Sequence, residues 1–285
     1  MHFLILHMLA VVVFLQMLRH TQRRGDDILS VVAFNYAVAA VLSAIFYLCA
    51  FGVKAELQPA AIMLGAINGV LYYLHLLILL ACFRVVGTGI SIAVCNSASI
   101  APIVFASVLW PQHETMNALR WLAVALIPPA MILMRPMQGK YGPIGFKGDV
   151  LLAAAFIVGG LIMIIHKVGV VLDAVPLRAA YQYQMSLFAL ATISSSSCWM
   201  WRRYKPASHE IGWGILIGAC NMAATGLLLA AVTVLGAIMF YSTASPLIIA
   251  LTLIVAWILW KERINKRQAV GVAMAILIVV LTNLK

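Results

Sequence analysis

Long apolar blocks separated by short polar breaks run along the whole chain, and they constrain the fold more than any other feature. A helix needs about 20 mostly apolar residues to cross the hydrocarbon core of a bilayer. The blocks lie at about residues 2–18, 28–52, 60–83, 88–110, 117–134, 150–172, 177–201, 211–235, 236–260 and 268–284. This pattern predicts an all-α, polytopic membrane protein with ten transmembrane helices, which we number as segments 1 to 10.

Composition supports the same interpretation. The chain is 65% hydrophobic and 9% charged, with a mean hydropathy of +1.06. Soluble domains carry roughly 25% charged residues, so a water-soluble fold is excluded. The lipid bilayer is therefore the first partner that the sequence predicts.

The longest polar break divides the chain into two halves. Residues 135–149, RPMQGKYGPIGFKGD, hold two prolines, four glycines and four charged residues, which is typical of a linker. We therefore predict one five-helix repeat at 1–134 and a second at 150–285. Because five is an odd number, two similar halves must insert in opposite orientations, as inverted repeats.

Short motifs recur in the same order in both halves, which favours such repeats. The matches are FNY at 34–36 with YQY at 181–183, GAIN at 65–68 with GACN at 218–221, and SIAP at 99–102 with TASP at 243–246. Each proline is also followed by a tryptophan and a glutamate. The prediction is a pair of related bundles around a central cavity.

The net charge of +11 is explained by its distribution across the membrane. Most of the nineteen basic residues fall in the breaks after odd-numbered segments: Arg19, Arg23, Arg24, Arg84, Arg135, Lys140, Lys147, Arg202, Arg203, Lys205, Lys261, Arg263, Lys266 and Arg267. The positive-inside rule assigns these breaks to the cytoplasm and both termini to the outside. A basic surface that faces anionic lipid accounts for the charge, so nucleic acid is not expected as a partner.

The acidic residues argue against several functions. All eight fall at segment ends or in breaks, so no carboxylate is predicted near the bilayer midplane, where a proton-coupled multidrug exporter usually needs one. The sequence contains no GxxxxGKS, HExxH or GxSxG motif, and its five cysteines show no CxxC spacing. We expect no enzyme activity, no cofactor and no metal site.

Uncharged polar residues within the apolar blocks are the candidates for substrate binding. An amide in hydrocarbon either bonds across helices or faces a wet cavity, and both alternatives stay open. The candidates are Asn35, Tyr36, Asn68, Tyr72, His75, Asn96, Ser97, Gln182, Tyr183, Asn221, Thr225, Tyr241 and Ser242. Since imidazole titrates near neutral pH, His75 could carry a coupling proton; the alternative is a neutral histidine that donates to a neighbouring helix.

The prolines and glycines of the blocks predict local geometry. Pro102 and Pro246 should kink their helices, each freeing a carbonyl that Ser99 or Thr243, three residues earlier, could compensate. Glu114 and Glu262 are predicted as anchors at helix ends. Two GxxxG pairs, Gly65 with Gly69 and Gly214 with Gly218, favour internal helix packing over dimerisation.

The ten-segment layout, the pairing of each proline with a glutamate and the tail KERINKRQAVGVAMAILIVVLTNL resemble the EamA-type branch of the drug/metabolite transporter superfamily. Glu262 and Gly271 match the positions of that family. The resemblance implies a basket of two repeats around a cavity that opens alternately to each side. It also implies cytoplasmic termini, whereas the charge distribution places them outside, so the orientation stays open.

The expected function is transport of a small polar or amphipathic metabolite, of the amino acid or nucleobase type, by alternating access. A transporter or flippase of a sugar or lipid-linked precursor is the first alternative, and a membrane-embedded enzyme or a scaffold is the second. The expected partners are a small-molecule substrate, the bilayer and a coupling proton, in a monomer or homodimer. The expected location is the bacterial cytoplasmic membrane.

Overall fold

The computed structural model describes residues 2–52, 56–109, 117–134, 146–171, 177–235 and 237–283. Helices account for 91% of this part of the chain, and it contains no strand. The helices are α1 (His2–Arg24), α2 (Ile28–Phe51), α3 (Pro59–Val85), α4 (Thr88–Ser97), α5 (Ala101–Leu109), α6 (Ala118–Met134), α7 (Phe146–Val171), α8 (Leu177–Trp201), α9 (Ser208–Leu235), α10 (Ala237–Trp260) and α11 (Lys266–Asn283). The all-α prediction is confirmed.

Two helices extend beyond their predicted segments for electrostatic reasons. Helix α1 continues to Arg24, because basic residues in its last turn interact favourably with the negative end of the helix dipole. Helix α7 begins at Phe146, within the range predicted as linker, and carries Asp149 in its first turn. The rest of that linker, residues 135–145, lies outside the described residues.

Segment 4 was predicted as one helix, and this was wrong: it consists of α4 and α5 joined by a 3-10 turn at Ala98–Ile100. Pro102 stands at the start of α5 and has no N–H to donate to the carbonyl of residue 98. The N–H of Ala101 donates to the Ala98 carbonyl instead, in the tighter pattern of a 3-10 turn. Pro246, by contrast, lies inside α10, which continues to Trp260.

The predicted compensation by Ser99 is also wrong. Its hydroxyl is buried and has no hydrogen-bond partner within the described ranges. The backbone of the 3-10 turn satisfies the Ala98 carbonyl, so the serine is not required for that role.

Burial in this molecule is inverted relative to a soluble protein. Asn35, Asn68 and Gln182 are 0% exposed, whereas Ile45 and Phe46 on α2 face outward. Water would penalise that arrangement, and hydrocarbon favours it. The chain is an integral membrane protein.

Six helices of the described chain are long and apolar enough to cross a membrane, which is fewer than the ten segments predicted. They span His2–Arg24, Ile28–Phe51, Pro59–Val85, Phe146–His166, Ser208–Ala231 and Thr243–Trp260. The shorter apolar stretches Thr88–Ile100 and Ala118–Met134 belong to segments 4 and 5. The number ten and the inverted repeats stay predictions.

The helices form two compact units, and neither coincides with a half of the sequence. Unit 1 comprises Met1–Leu74 and Val168–Leu235, and unit 2 comprises His75–Lys167 and Gly236–Lys285. Each unit therefore draws helices from both halves. The residues of α3 and of α7 are divided between the two units.

Candidate functional site

Unit 1 contains a network of buried polar side chains on α2, α3, α8 and α9. The Asn221 amide donates to Oδ1 of Asn35 at 3.2 Å, which joins α9 to α2. The Asn68 amide donates to the hydroxyl of Tyr183, which joins α3 to α8. These bonds cross between helices, as expected for amides in hydrocarbon.

Glycines let the backbones of these helices approach closely. A Cβ on Gly218 of α9 would lie 2.5 Å from the Asn35 carbonyl oxygen, and one on Gly65 of α3 would collide with the Tyr183 carbonyl. Gly69 and Gly214 meet α8 and α2 in the same way. The prediction that both GxxxG pairs serve internal packing is confirmed.

The Asn35 side chain is the least satisfied part of the network. Its oxygen accepts from Asn221, but its Nδ2 is buried without a hydrogen-bond partner among the described residues. Asn35 is itself 0% exposed and lies within α2. A buried donor without a partner costs about 1–3 kcal/mol, so the position holds a donor at the expense of stability.

Gln182 connects α8 to the start of α3 and to α2. Its Nε2 donates at 2.8 Å to both the Tyr47 hydroxyl and the Glu56 carbonyl, and its Oε1 accepts from the Gln58 N–H at 2.7 Å. Both ends of this amide are therefore used in structure. Gln182 positions helices, and donation by its Nε2 to a ligand would require breaking one of these bonds.

Two further candidates in unit 1 bond to backbone carbonyls. The Tyr36 hydroxyl donates to the Tyr72 carbonyl at 3.0 Å, linking α2 to α3, while the Thr225 hydroxyl donates to Asn221 one turn earlier in α9. Tyr36 is buried, so its phenol is held inside the bundle. Eight of the thirteen candidate residues thus belong to unit 1.

The other five candidates belong to unit 2. Nε2 of His75 lies 3.5 Å from Sγ of Cys95, so the ring has a partner on α4. The Asn96 amide and the Ser97 hydroxyl donate back to carbonyls four residues earlier in α4. Tyr241 and Ser242 lie in α10, but their side chains lie outside the described residues.

The acidic residues that the structure describes all lie at helix ends or between helices: Asp26, Asp27, Glu56, Asp149, Glu210 and Glu262. Glu114, the other predicted anchor, lies outside the described residues. Glu210 and Glu262 each accept hydrogen bonds from a segment that is distant in the sequence: Glu210 from Asp27, and Glu262 from Thr88.

Glu262 caps the N-terminus of α4. Its Oε2 accepts the Thr88 N–H at 2.7 Å, and its Oε1 accepts the Thr88 hydroxyl at 3.3 Å. Gly87 precedes this turn with a φ of 89°, which favours glycine, and a Cβ there would lie 3.0 Å from Oε2. The sequence predicted an anchor at Glu262 but no partner for it.

Glu210 performs a similar task in unit 1. Its Oε1 accepts the Asp27 N–H at 2.6 Å and its Oε2 the Ala207 N–H at 2.8 Å, so it joins the α1–α2 turn to the start of α9. Tyr204 also donates to Oε1, at 3.2 Å. Desolvation and then the Glu210 charge raise the pKa of Tyr204, which keeps its hydroxyl a donor.

Sequence reasoning missed four partners of this network: Glu210, Tyr47, His7 and Gln184. His7 bonds to the Ala224 carbonyl at 2.9 Å, and Gln184 donates to the Met222 carbonyl at 3.2 Å. Gln184 had a signal, since it follows Gln182 in the run YQYQ. Tyr47 and His7 gave none, because their partners lie far away in the sequence, and the same distance hid the bond from the Asp27 N–H to Glu210.

No protein-family model matches the chain, and no curated protein is significantly similar to it.

Proposed function

We propose that the chain is a transporter that moves a small polar or amphipathic metabolite, of the amino acid or nucleobase type, across a bacterial cytoplasmic membrane. The mechanism is alternating access by ten transmembrane helices, arranged as two inverted repeats. No covalent step takes part, and amide and aromatic side chains replace the water around the substrate.

The observation that carries the proposal is the presence of the buried amides Asn35, Asn68 and Asn221 in membrane-spanning helices, where the Asn35 Nδ2 has no hydrogen-bond partner among the described residues. A buried donor without a partner is costly in hydrocarbon, so stability alone does not explain an amide at position 35. Polar groups inside a membrane protein are expensive and mark pathways for substrates or ions.

The repeated motifs support the same proposal. The motif residue Asn221 bonds to a residue of the FNY motif, and its counterpart Asn68 bonds to a residue of the YQY motif. Their glycines Gly218 and Gly65 approach the same partner helices. Related motifs therefore make related contacts, as two repeats of one ancestral bundle would.

The acids favour a mechanism without a carboxylate near the bilayer midplane. The six described ones stand at helix ends or between helices. A coupling proton would then need another carrier, and His75 is the candidate within a membrane-spanning helix.

The decisive experiment is uptake into proteoliposomes, after a thermal-shift screen of the purified protein against metabolite pools. Asn35→Leu should reduce uptake of the selected solute by roughly tenfold, the worth of about one hydrogen bond, and should lower the melting temperature modestly because the Asn221 amide loses its acceptor. The control is Ser197→Ala on α8, whose exposed hydroxyl bonds only within its own helix. A variant that melts lower but transports normally would show that Asn35 has only a structural role.

Coupling is tested on the same vesicles with and without a pH gradient. His75→Ala should abolish gradient-driven accumulation while exchange between labelled and unlabelled solute continues. Unchanged accumulation would remove the proton-carrier role. Selective flipping of a lipid-linked sugar, in place of soluble metabolites, would favour the first alternative.

A further inference from the structure

Three residues that could ligate a metal ion meet in unit 1, at the α1–α2 turn and the start of α9. Asp26 lies in the α1–α2 turn, and His209 and Glu210 lie in the first turn of α9. One ligand atom from each residue lies within 4.8 Å of the other two. The sequence separates Asp26 from the other two by most of the chain, so its motifs did not indicate this group.

Helix capping explains two of the neighbouring carboxylates but not the third. Oδ2 of Asp27 caps α2 by accepting the Ser30 N–H at 3.0 Å, and Glu210 accepts the backbone N–H groups of Asp27 and Ala207. These bonds are what helix N-termini require. Asp26 takes part in neither cap.

Asp26 is a buried carboxylate with incomplete compensation. Its side chain is 3% exposed, and its Oδ1 lies 3.2 Å from Nε2 of His209 and 3.6 Å from Nε of Arg24. Its Oδ2 is buried and accepts no hydrogen bond from the part of the chain that the structure describes. A buried carboxylate oxygen is costly unless a hydrogen-bond donor or a cation satisfies it.

We propose that Asp26, His209 and Glu210 bind one divalent transition-metal ion of the zinc class. A nitrogen ligand beside two carboxylates favours zinc over calcium or magnesium, which prefer oxygen ligands. His209 is 43% exposed, so an ion can reach the group from solvent and keep a water ligand. Metal–ligand distances of about 2.0–2.2 Å require the three side chains to close slightly around the ion.

The ion would fasten the α1–α2 turn to the start of α9. Glu210 already makes that connection through the Asp27 N–H, and the metal would add a second link through Asp26. Metal binding should therefore raise the melting temperature of the protein, because it stabilises only the folded state.

The test is titration of tag-free, detergent-purified full-length protein with Zn²⁺ after chelator treatment, by calorimetry and by thermal melting. One equivalent should bind and raise the melting temperature. His209→Ala and Asp26→Asn should weaken binding by roughly tenfold or more, since each removes a ligand. Arg24→Gln should tighten it, because Arg24 competes with the ion for Asp26.

The matched control is His20→Ala, since His20 lies near the C-terminal end of α1 but packs against Trp213, with ring centroids 5.0 Å apart. It should leave the Zn²⁺ affinity unchanged. Because His209 is exposed, His209→Ala should fold, and it decides the question even if Asp26→Asn does not fold. The absence of a saturable equivalent, or equal affinity in His209→Ala and wild type, would overturn the proposal.

Discussion

Unit 1 and unit 2 satisfy their buried amides and hydroxyls in different ways. In unit 1, Asn221, Asn68 and Gln182 donate to residues on other helices or their connecting segments. In unit 2, the Thr88 hydroxyl donates to Glu262, but four other donors within α4 and α5 return to carbonyls three or four residues earlier: Ser91 to Gly87, Asn96 to Ile92, Ser97 to Ala93 and Ser107 to Val104.

This difference determines what holds each unit together. A bond across helices fixes their relative position, and its loss leaves a partner unpaired in hydrocarbon. A bond within one helix can be deleted without such a loss, since the carbonyl keeps its backbone partner. Both units use close packing at glycines, as where Gly218 meets Asn35 and Gly271 meets Met134. Unit 1 adds amide bonds between helices, and unit 2 adds the Glu262 cap.

The largest expected effect comes from filling a glycine contact. Gly218→Ala places a methyl group 2.5 Å from the Asn35 carbonyl oxygen and 2.9 Å from Cβ of Val38, so α9 must move away from α2. We expect a loss of about 1–3 kcal/mol, the usual cost of overpacking. Thermal or denaturant unfolding of the purified protein measures it.

Gly212→Ala is the matched control on the same helix, because a Cβ there meets nothing within 4 Å. It should stabilise the protein by about 0.5–1 kcal/mol through helix propensity. Equal effects of the two substitutions would contradict the close α2–α9 packing.

An intermediate effect is expected at the cap of unit 2. Glu262→Gln removes the charge that accepts both the Thr88 N–H and hydroxyl, and should cost about 1 kcal/mol, as the loss of a helix N-cap does. Hydrogen exchange should speed up first at the start of α4. Glu56→Gln, at an exposed glutamate in unit 1, should change neither quantity, and an equal response from it would refute a specific cap.

The smallest effect tests the contrast itself. Asn221→Ala removes a bond between α9 and α2 and should cost about 0.6 kcal/mol, the average for hydrogen bonds in membrane proteins. Asn96→Ala removes only a bond within α4 and should cost less. If Asn96→Ala proved the more costly of the two in unfolding measurements, the distinction between the units would fail.

Much of the fold could be predicted because helix formation in hydrocarbon depends on local composition. The long apolar blocks and their polar breaks place helices such as α2 and α8 within a residue or two of their observed bounds. The break at Ala98–Ile100 could not be placed, since a proline can kink, interrupt or start a helix depending on which backbone groups compensate.

The candidate site was predictable in its residue types but not in its pairings. Repeated motifs identified Asn35, Asn68 and Asn221 as polar residues in apolar surroundings, but not that the Asn35 Nδ2 would find no hydrogen-bond partner in the described part of the chain. The residues next to Gln182 in the sequence also did not indicate its hydrogen bonds. Its Nε2 donates to the Tyr47 hydroxyl and the Glu56 carbonyl, and its Oε1 accepts from the Gln58 N–H.

By itself, the sequence determined that this protein lies in a membrane and that its segments are helical. Both follow from hydrophobicity summed over about 20 neighbouring residues. Only the tertiary structure decided which helices from the two halves share a compact unit, and which carboxylates cap which helix starts. Both the grouping of the helices and their caps depend on contacts between residues distant in sequence, such as Glu262 with Thr88 and Glu210 with Asp27. The composition of a short segment does not predict such contacts.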